Sequence, residues 1–336
     1  MKVEIAKLKE ILNQLKPGLS GSKETTDQSN HFVFKDGYAY TYNDEVSVKV
    51  PIPFELEGAV SAKELLALVN KLKGDEAELE VSDTEILIKS GRSRAGIRLD
   101  AEILMPIDEI KYPGRKDWKA LPADFQQAVQ NTLFSVSKDA SFPILTVIHG
   151  VAGLMESSDT DRATKWELES ELPFEILLPS YAGKSLLGYK DVSKVFVSNS
   201  WIHFNLGAGK VLSSRTFEGK FPDLSPHFEN DGKELEFPHV SKEILERAGV
   251  FSEDTNDSDC FVTIAVTDKG VFKVRSEGDT GWYEESIRIK HGGEEFSFSI
   301  NPQYLIQILS STHKATLSEN KINFSSDKFH HVVALG

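Results

Sequence analysis

Apolar and polar residues alternate with a period of two along much of the chain, as in Glu78-Leu79-Glu80-Val81 and Glu85-Ile86-Leu87-Ile88. Turn formers such as Lys35-Asp36-Gly37 and Asp268-Lys269-Gly270 break these runs, a pattern that predicts short half-buried strands. Two stretches follow helical spacing instead: Ile5, Leu8, Ile11, Leu12 and Leu15, and Leu65, Leu66, Val69 and Leu72. Each set lies along one face of an amphipathic helix.

The order of these pieces recurs three times. Each copy opens with a helix (3–15, 122–134, 240–248), runs through strands to a second helix (61–72, 179–189, 301–311) and closes on a polar strand, a tight turn and another strand. Corresponding points fall roughly 115 to 120 residues apart. The expectation is an α+β protein of three similar domains with antiparallel sheets and paired helices, at 1–113, 114–231 and 232–336. The boundaries fall at the turn-rich runs Tyr112-Pro113-Gly114 and Asn230-Asp231-Gly232.

A chain of 336 residues buries enough surface to fold without staples. The lone Cys260 leaves no internal disulfide and no thiolate set for zinc, and suits a reducing compartment. No apolar run reaches the roughly 20 residues of a membrane helix, and Met1-Lys2-Val3-Glu4-Ile5 does not begin a secretory signal. A soluble cytoplasmic protein with no membrane partner is expected. The formal net charge of −14 disfavours wrapping a polyanion over the whole surface, so any nucleic-acid contact must be locally basic.

No nucleophile elbow, P-loop, His-Glu-x-x-His helix or dinucleotide fingerprint is present. His330 and His331 alternate across a strand and cannot converge on one metal; Glu284 and Glu285 diverge for the same reason. Neither an enzyme nor a metal or cofactor site is expected.

Three segments carry a family resemblance. Ile88-Lys89-Ser90-Gly91-Arg92-Ser93-Arg94 resembles the strand and turn near the end of the first domain of bacterial DNA sliding clamps, the DNA polymerase III beta subunits. Ser213-Ser214-Arg215-Thr216-Phe217-Glu218-Gly219-Lys220-Phe221-Pro222-Asp223 is similar to the segment closing their second domain. Trp282-Tyr283-Glu284-Glu285-Ser286-Ile287, followed by Asn301-Pro302-Gln303-Tyr304-Leu305, resembles the paired acids and helix start of their third. The order and spacing match over nearly the whole chain.

The resemblance implies the DNA clamp fold, with two chains closing head to tail as a homodimeric ring round double-stranded DNA. Such a ring is a processivity factor that holds DNA by topology without reading sequence, and that tethers the polymerase and clamp loader through a short peptide. A sliding surface needs positive charge directed at phosphates. The candidates on or beside the helices are Lys7, Lys16, Lys63, Lys71, Lys73, Lys138, Lys184, Lys190, Lys242, Arg247 and Lys314, with Lys23 in a loop. The alternatives are a clamp-like binding or inhibitory protein that does not encircle DNA, and a structural β-rich protein. The retained lysines favour the ring.

For the partner-peptide pocket the resemblance points to Arg162, Ala163, Thr164, Pro179, Val332, Val333, Ala334 and Leu335. The run Ser158-Asp159-Thr160-Asp161-Arg162-Ala163-Thr164 has Asp161 and Ala163 where the family has histidine and leucine. The end, His331-Val332-Val333-Ala334-Leu335-Gly336, lacks the usual Met-Pro-Met-type tail. These departures suggest a diverged partner peptide, as in a clamp encoded by a bacteriophage and working in its host's cytoplasm. Ile86, Ile88 and the stretch 261–265 are expected at the ring-closing strand edges.

Overall fold

The computed structural model describes residues 1–21, 23–198, 200–252, 260–291 and 293–335. Its helices are α1 (Ile5–Leu15), α2 (Ala62–Lys71), α3 (Phe125–Thr132), α4 (Ser180–Leu186), a short α5 (Ser225–Phe228), α6 (Ser241–Gly249) and α7 (Pro302–Ile308). All six helices expected from the periodicity are present; α5 is additional.

The element order is a threefold repeat: a short strand, a helix, four strands, a second helix and three strands. The opening strands are Lys2–Glu4, Lys119–Ala120 and Lys233–Glu236. Each pairs antiparallel with the first of its repeat's three closing strands, Glu76–Val81, Lys194–Val197 and Lys314–Leu317. The two main helices of each repeat pack together, α1 on α2, α3 on α4 and α6 on α7.

By its contacts the chain forms two units. The first comprises Met1–Leu133, Val147–Gly153 and Leu168–Gly219; the second comprises Phe134–Thr146, Leu154–Glu167 and Lys220–Gly336. The first holds an antiparallel sheet of twelve strands. Ile5, Leu8, Ile11, Leu12 and Leu15 are buried, so the helical stripe of α1 is core. Backbone carbonyls at helix ends are met by side chains from other elements, as burial requires. The Thr41 hydroxyl donates to the Leu15 carbonyl at 2.6 Å, and the Gln126 amide donates to the carbonyls of Leu186 and Tyr189 at 2.9 and 2.8 Å.

Two junctions follow one rule. In the first unit, Val46–Pro51, third of the four strands of repeat one, pairs with Val211–Arg215, last strand of repeat two. In the second unit, Arg162–Glu167, third of the four in repeat two, pairs with Phe329–Ala334, last strand of repeat three. A buried imidazole lies beside the first junction, on Trp201–Asn205, and another within the second. His203 Nδ1 lies 2.8 Å from the Ser213 hydroxyl, and His331 Nδ1 lies 2.8 Å from the Thr164 hydroxyl.

The expectation for the ring-closing strands needs correction. Ile86 and Ile88 are buried on Glu85–Ser90, which is paired on both sides. Val262–Val266 is likewise interior, between Val271–Gly278 and Phe296–Ile300. Period-two alternation marks a buried strand face and does not distinguish an edge strand from an interior one.

Candidate nucleic-acid interface and partner cleft

The six main helices together carry seven basic and four acidic side chains, in a chain of net charge −14. Lys7, Lys16, Lys23, Lys63, Lys71, Lys73, Lys138, Lys184, Lys190 and Lys314 are all exposed. None of them has a carboxylate within ion-pair distance among the described residues. Two links draw some of them together in the first unit. Lys9 Nζ reaches the Asn70 carbonyl at 3.4 Å, setting Lys71 beside α1, and the Tyr189 hydroxyl donates to the Gln14 carbonyl, bringing the neighbourhoods of Lys16 and Lys190 together.

The second unit differs. Lys242 is half-buried, 3.4 Å from the Ser310 hydroxyl. Arg247 is held by Glu285, with Nη2 2.8 Å from Oε2, and donates to the Tyr283 hydroxyl at 2.8 Å. The Tyr283 hydroxyl and then Arg247 hold the Glu285 carboxyl below the ordinary carboxylate range. The Arg247 charge is thus offset by a neighbour, unlike the ten exposed lysines. One residue escaped the sequence reading: Phe142, 52% exposed, follows Lys138 by four residues in a polar turn. Its only sequence signal is a phenylalanine after a mostly polar run.

The expected pocket residues 162–164 and 332–335 come together by strand register. Arg162 lies opposite Val333, Ala163 opposite Val332 and Thr164 opposite His331, and Leu335 is joined to the Asn320 carbonyl by its backbone N–H. Alternation then assigns the faces. Ala163, Val332 and Ala334 line an open cleft of about 190 Å³, with Asp161, His227 and Lys321 at its sides. Ala163 and Val332 are themselves buried at its base; Thr164 and Val333, on the other face, are buried too, Thr164 within hydrogen-bonding distance of the Ser135 hydroxyl at 2.6 Å. Pro179 belongs to the first unit, at the end of the strand Ile176–Pro179 leading into α4.

Arg162 touches the cleft, but its guanidinium is occupied elsewhere. Nε donates to Asp159 at 2.8 Å, Nη1 to Gln307 Oε1 at 3.0 Å, and Nη2 to the Phe134 carbonyl; the group also stacks on the Tyr304 ring at 3.8 Å. Its side chain is 9% exposed. Burial raises the Asp159 carboxyl above its ordinary range even though Arg162 opposes that shift. Arg162 is therefore a buried strut that fixes the strand against α7. Among the described residues no group of three or more His, Cys, Asp or Glu could hold a metal ion, and no helix is long and apolar enough to cross a membrane.

Three repeats of paired helices on antiparallel sheets, with a cleft on the last strand junction, define the DNA clamp class of fold. No protein-family model matches the chain. The Beta sliding clamp of Lactococcus lactis is 27% identical over 259 residues, 70% of this chain and 66% of that protein. The Beta sliding clamp of Bacillus subtilis is 23% identical over 310 residues, 82% of this chain and 79% of that protein. The crystal structure of the beta subunit from the DNA polymerase of Streptococcus pyogenes superposes with a TM-score of 0.83 at 19% identity, over 100% of this chain and 99% of that one. The DNA polymerase sliding clamp of Bacillus subtilis gives 0.80 at 18% identity, over 100% and 98%. The chain shares the fold of these sliding clamps and is similar to them in sequence over most of its length.

Proposed function

We propose that this chain is a DNA sliding clamp: two copies close head to tail around duplex DNA, the helix pairs face the phosphates, and the cleft of the second unit holds a short peptide of the polymerase or its loader. On this reading the domains are the three repeats, 1–113, 114–231 and 232–336, and the protein acts by holding DNA, without catalysis.

The repeated junction carries the proposal. The third of four strands in repeats one and two pairs with the last strand of the following repeat. Repeat three has the same strand, Gly281–Arg288, at the end of its sheet with no further partner among the described residues. Repeat one has the matching last strand, Ser93–Asp100, paired on its second side only through Leu99 and Asp100. One chain thus ends in the two halves of a junction that it makes twice internally, and a second copy supplies both missing halves. Heterologous contacts of this kind close a ring when the rotation per copy completes the circle. The two free edges also differ in charge, with Arg94, Arg98 and Asp100 on one and Glu284, Glu285 and Arg288 on the other, the two glutamates being paired within their own unit to Lys273 and Arg247.

The test is retention on nicked circular DNA at high salt, with the solution mass measured by light scattering. A dimer that stays on circles and runs off the same DNA after linearisation is the expected result, because a topological link survives salt that removes electrostatic binding. A monomer lost equally from both DNAs would refute the ring and favour a clamp-like protein that does not encircle DNA.

A further inference from the structure

We infer that the cleft on the Arg162–Glu167 and Phe329–Ala334 junction selects a peptide that sets a bulky apolar side chain beside a cationic one; this rests on the docking reading above and deepens it. The register builds the floor in two rows on one face of three strands. Ala163, Val332 and Asn323 make one row. Asp161, Ala334 and Lys321 make the other, with the Ala334 N–H donating to the Asp161 carbonyl at 2.8 Å. Two alanines and a valine leave room above the floor, and the cleft of about 190 Å³ is of the size of one large side chain.

The polar groups round that floor are unevenly committed. Lys321 Nζ donates to the carbonyls of His227 and Glu229 at 3.0 and 2.6 Å, at the end of α5. This ammonium straps α5 to the strand and is drawn away from the floor. Arg162 is saturated by Asp159, Gln307 and the Phe134 carbonyl. One acceptor is open: the exposed Asp161 carboxylate, which lines the cleft, has no ion-pair partner among the described residues. Occupied cations and an unpaired carboxylate round an apolar floor favour a ligand that brings positive charge.

The experiment measures binding of fluorescein-labelled nonapeptides by anisotropy to the full chain at pH 8. The peptides carry a single phenylalanine anchor preceded by lysine, glutamine or glutamate. The lysine peptide is expected to bind about tenfold tighter than the glutamate peptide, Asp161→Lys to reverse that order, and Ala163→Leu, which fills the floor, to weaken all three. Asp161 is exposed, and melting curves of each variant establish that it folds. Equal binding of the three peptides, unchanged by Asp161→Lys, overturns the charge selection and leaves the docking reading standing. Failure of all three to bind the unaltered protein overturns the docking reading and the inference together.

Discussion

His203 is wholly buried on Trp201–Asn205, the strand beside the first junction, with Nδ1 at the Ser213 hydroxyl and Nε2 without a partner. Desolvation lowers its pKa from 6.5 to about 4. The unfolded chain therefore binds a proton between those values that the folded chain refuses. The stability from the neutral ring is fully present above pH 6.5 and is lost as the pH falls through 4. At about 1.36 kcal/mol per unit, the loss is about 2 kcal/mol at pH 5 and about 3 kcal/mol near pH 4. The perturbation is His203→Gln, which keeps a hydrogen-bonding side chain toward Ser213 and removes the titration. Urea unfolding of both proteins at pH 7.5 and pH 5 gives the comparison, since the carboxylates common to both cancel. Between those pH values the variant should lose about 2 kcal/mol less than the parent. Equal losses would show that the imidazole is not held neutral by burial.

His331, also wholly buried and driven well below its ordinary value by desolvation and then by Arg162, belongs to the second junction; His331→Gln should likewise flatten the acid dependence of the second unit, read by hydrogen exchange of Phe329–Ala334, and an unchanged pH dependence would contradict this. Arg94→Glu with Arg98→Glu in one copy, or Glu284→Arg with Glu285→Arg in another, should weaken self-association by on the order of a hundredfold, and mixing the two variants should restore a one-to-one dimer by light scattering; dimers of either variant alone at the parental affinity would refute the assigned edges. Lys16→Ala with Lys190→Ala should lower the slope of log affinity against log salt on a short linear duplex by about 2, whereas an unchanged slope would place these lysines off the DNA. Leu12 is fully buried in α1, and Leu12→Ala should cost about 2–5 kcal/mol of stability in denaturant melts.

The repeat was legible because its helices announce themselves at 3.6-residue spacing and its strands at two. α6, expected at 240–248, spans Ser241–Gly249, and α7, expected at 301–311, spans Pro302–Ile308 with the Asn301 side chain accepting from the Gln303 N–H at its start. α4 ends earlier than its pattern, at Leu186, where Gln126 from α3 takes the carbonyls of Leu186 and Tyr189. Gly188, just past the C-cap Leu187, is the local signal for that stop, and Gln126, sixty positions away from Leu186, adds a tertiary cap that 179–189 does not contain. The expectation of edge strands at Ile86 and Ile88 fails for a related reason. Ile86 and Ile88 alternate as an edge strand would, yet whether a strand is interior is decided by its neighbours, here Glu76–Val81 and Ser93–Asp100.

The cleft shows the same division between what a sequence states and what contacts decide. Its two strand segments were found through family likeness, and register makes them partners, Ala163 against Val332. What the arginine does there was not legible. A lone Arg162 beside Asp159 reads as a surface ion pair, which contributes little, but Tyr304 and Gln307, some 145 positions on, turn it into an enclosed strut. The substitution of Asp161 and Ala163 into the family pattern takes its meaning from that enclosure. Had Arg162 projected into the cleft, its charge would have faced Asp161 and offset it. With Arg162 turned to the opposite face, as strand alternation requires, the exposed Asp161 carboxylate stands alone over a floor of small apolar side chains.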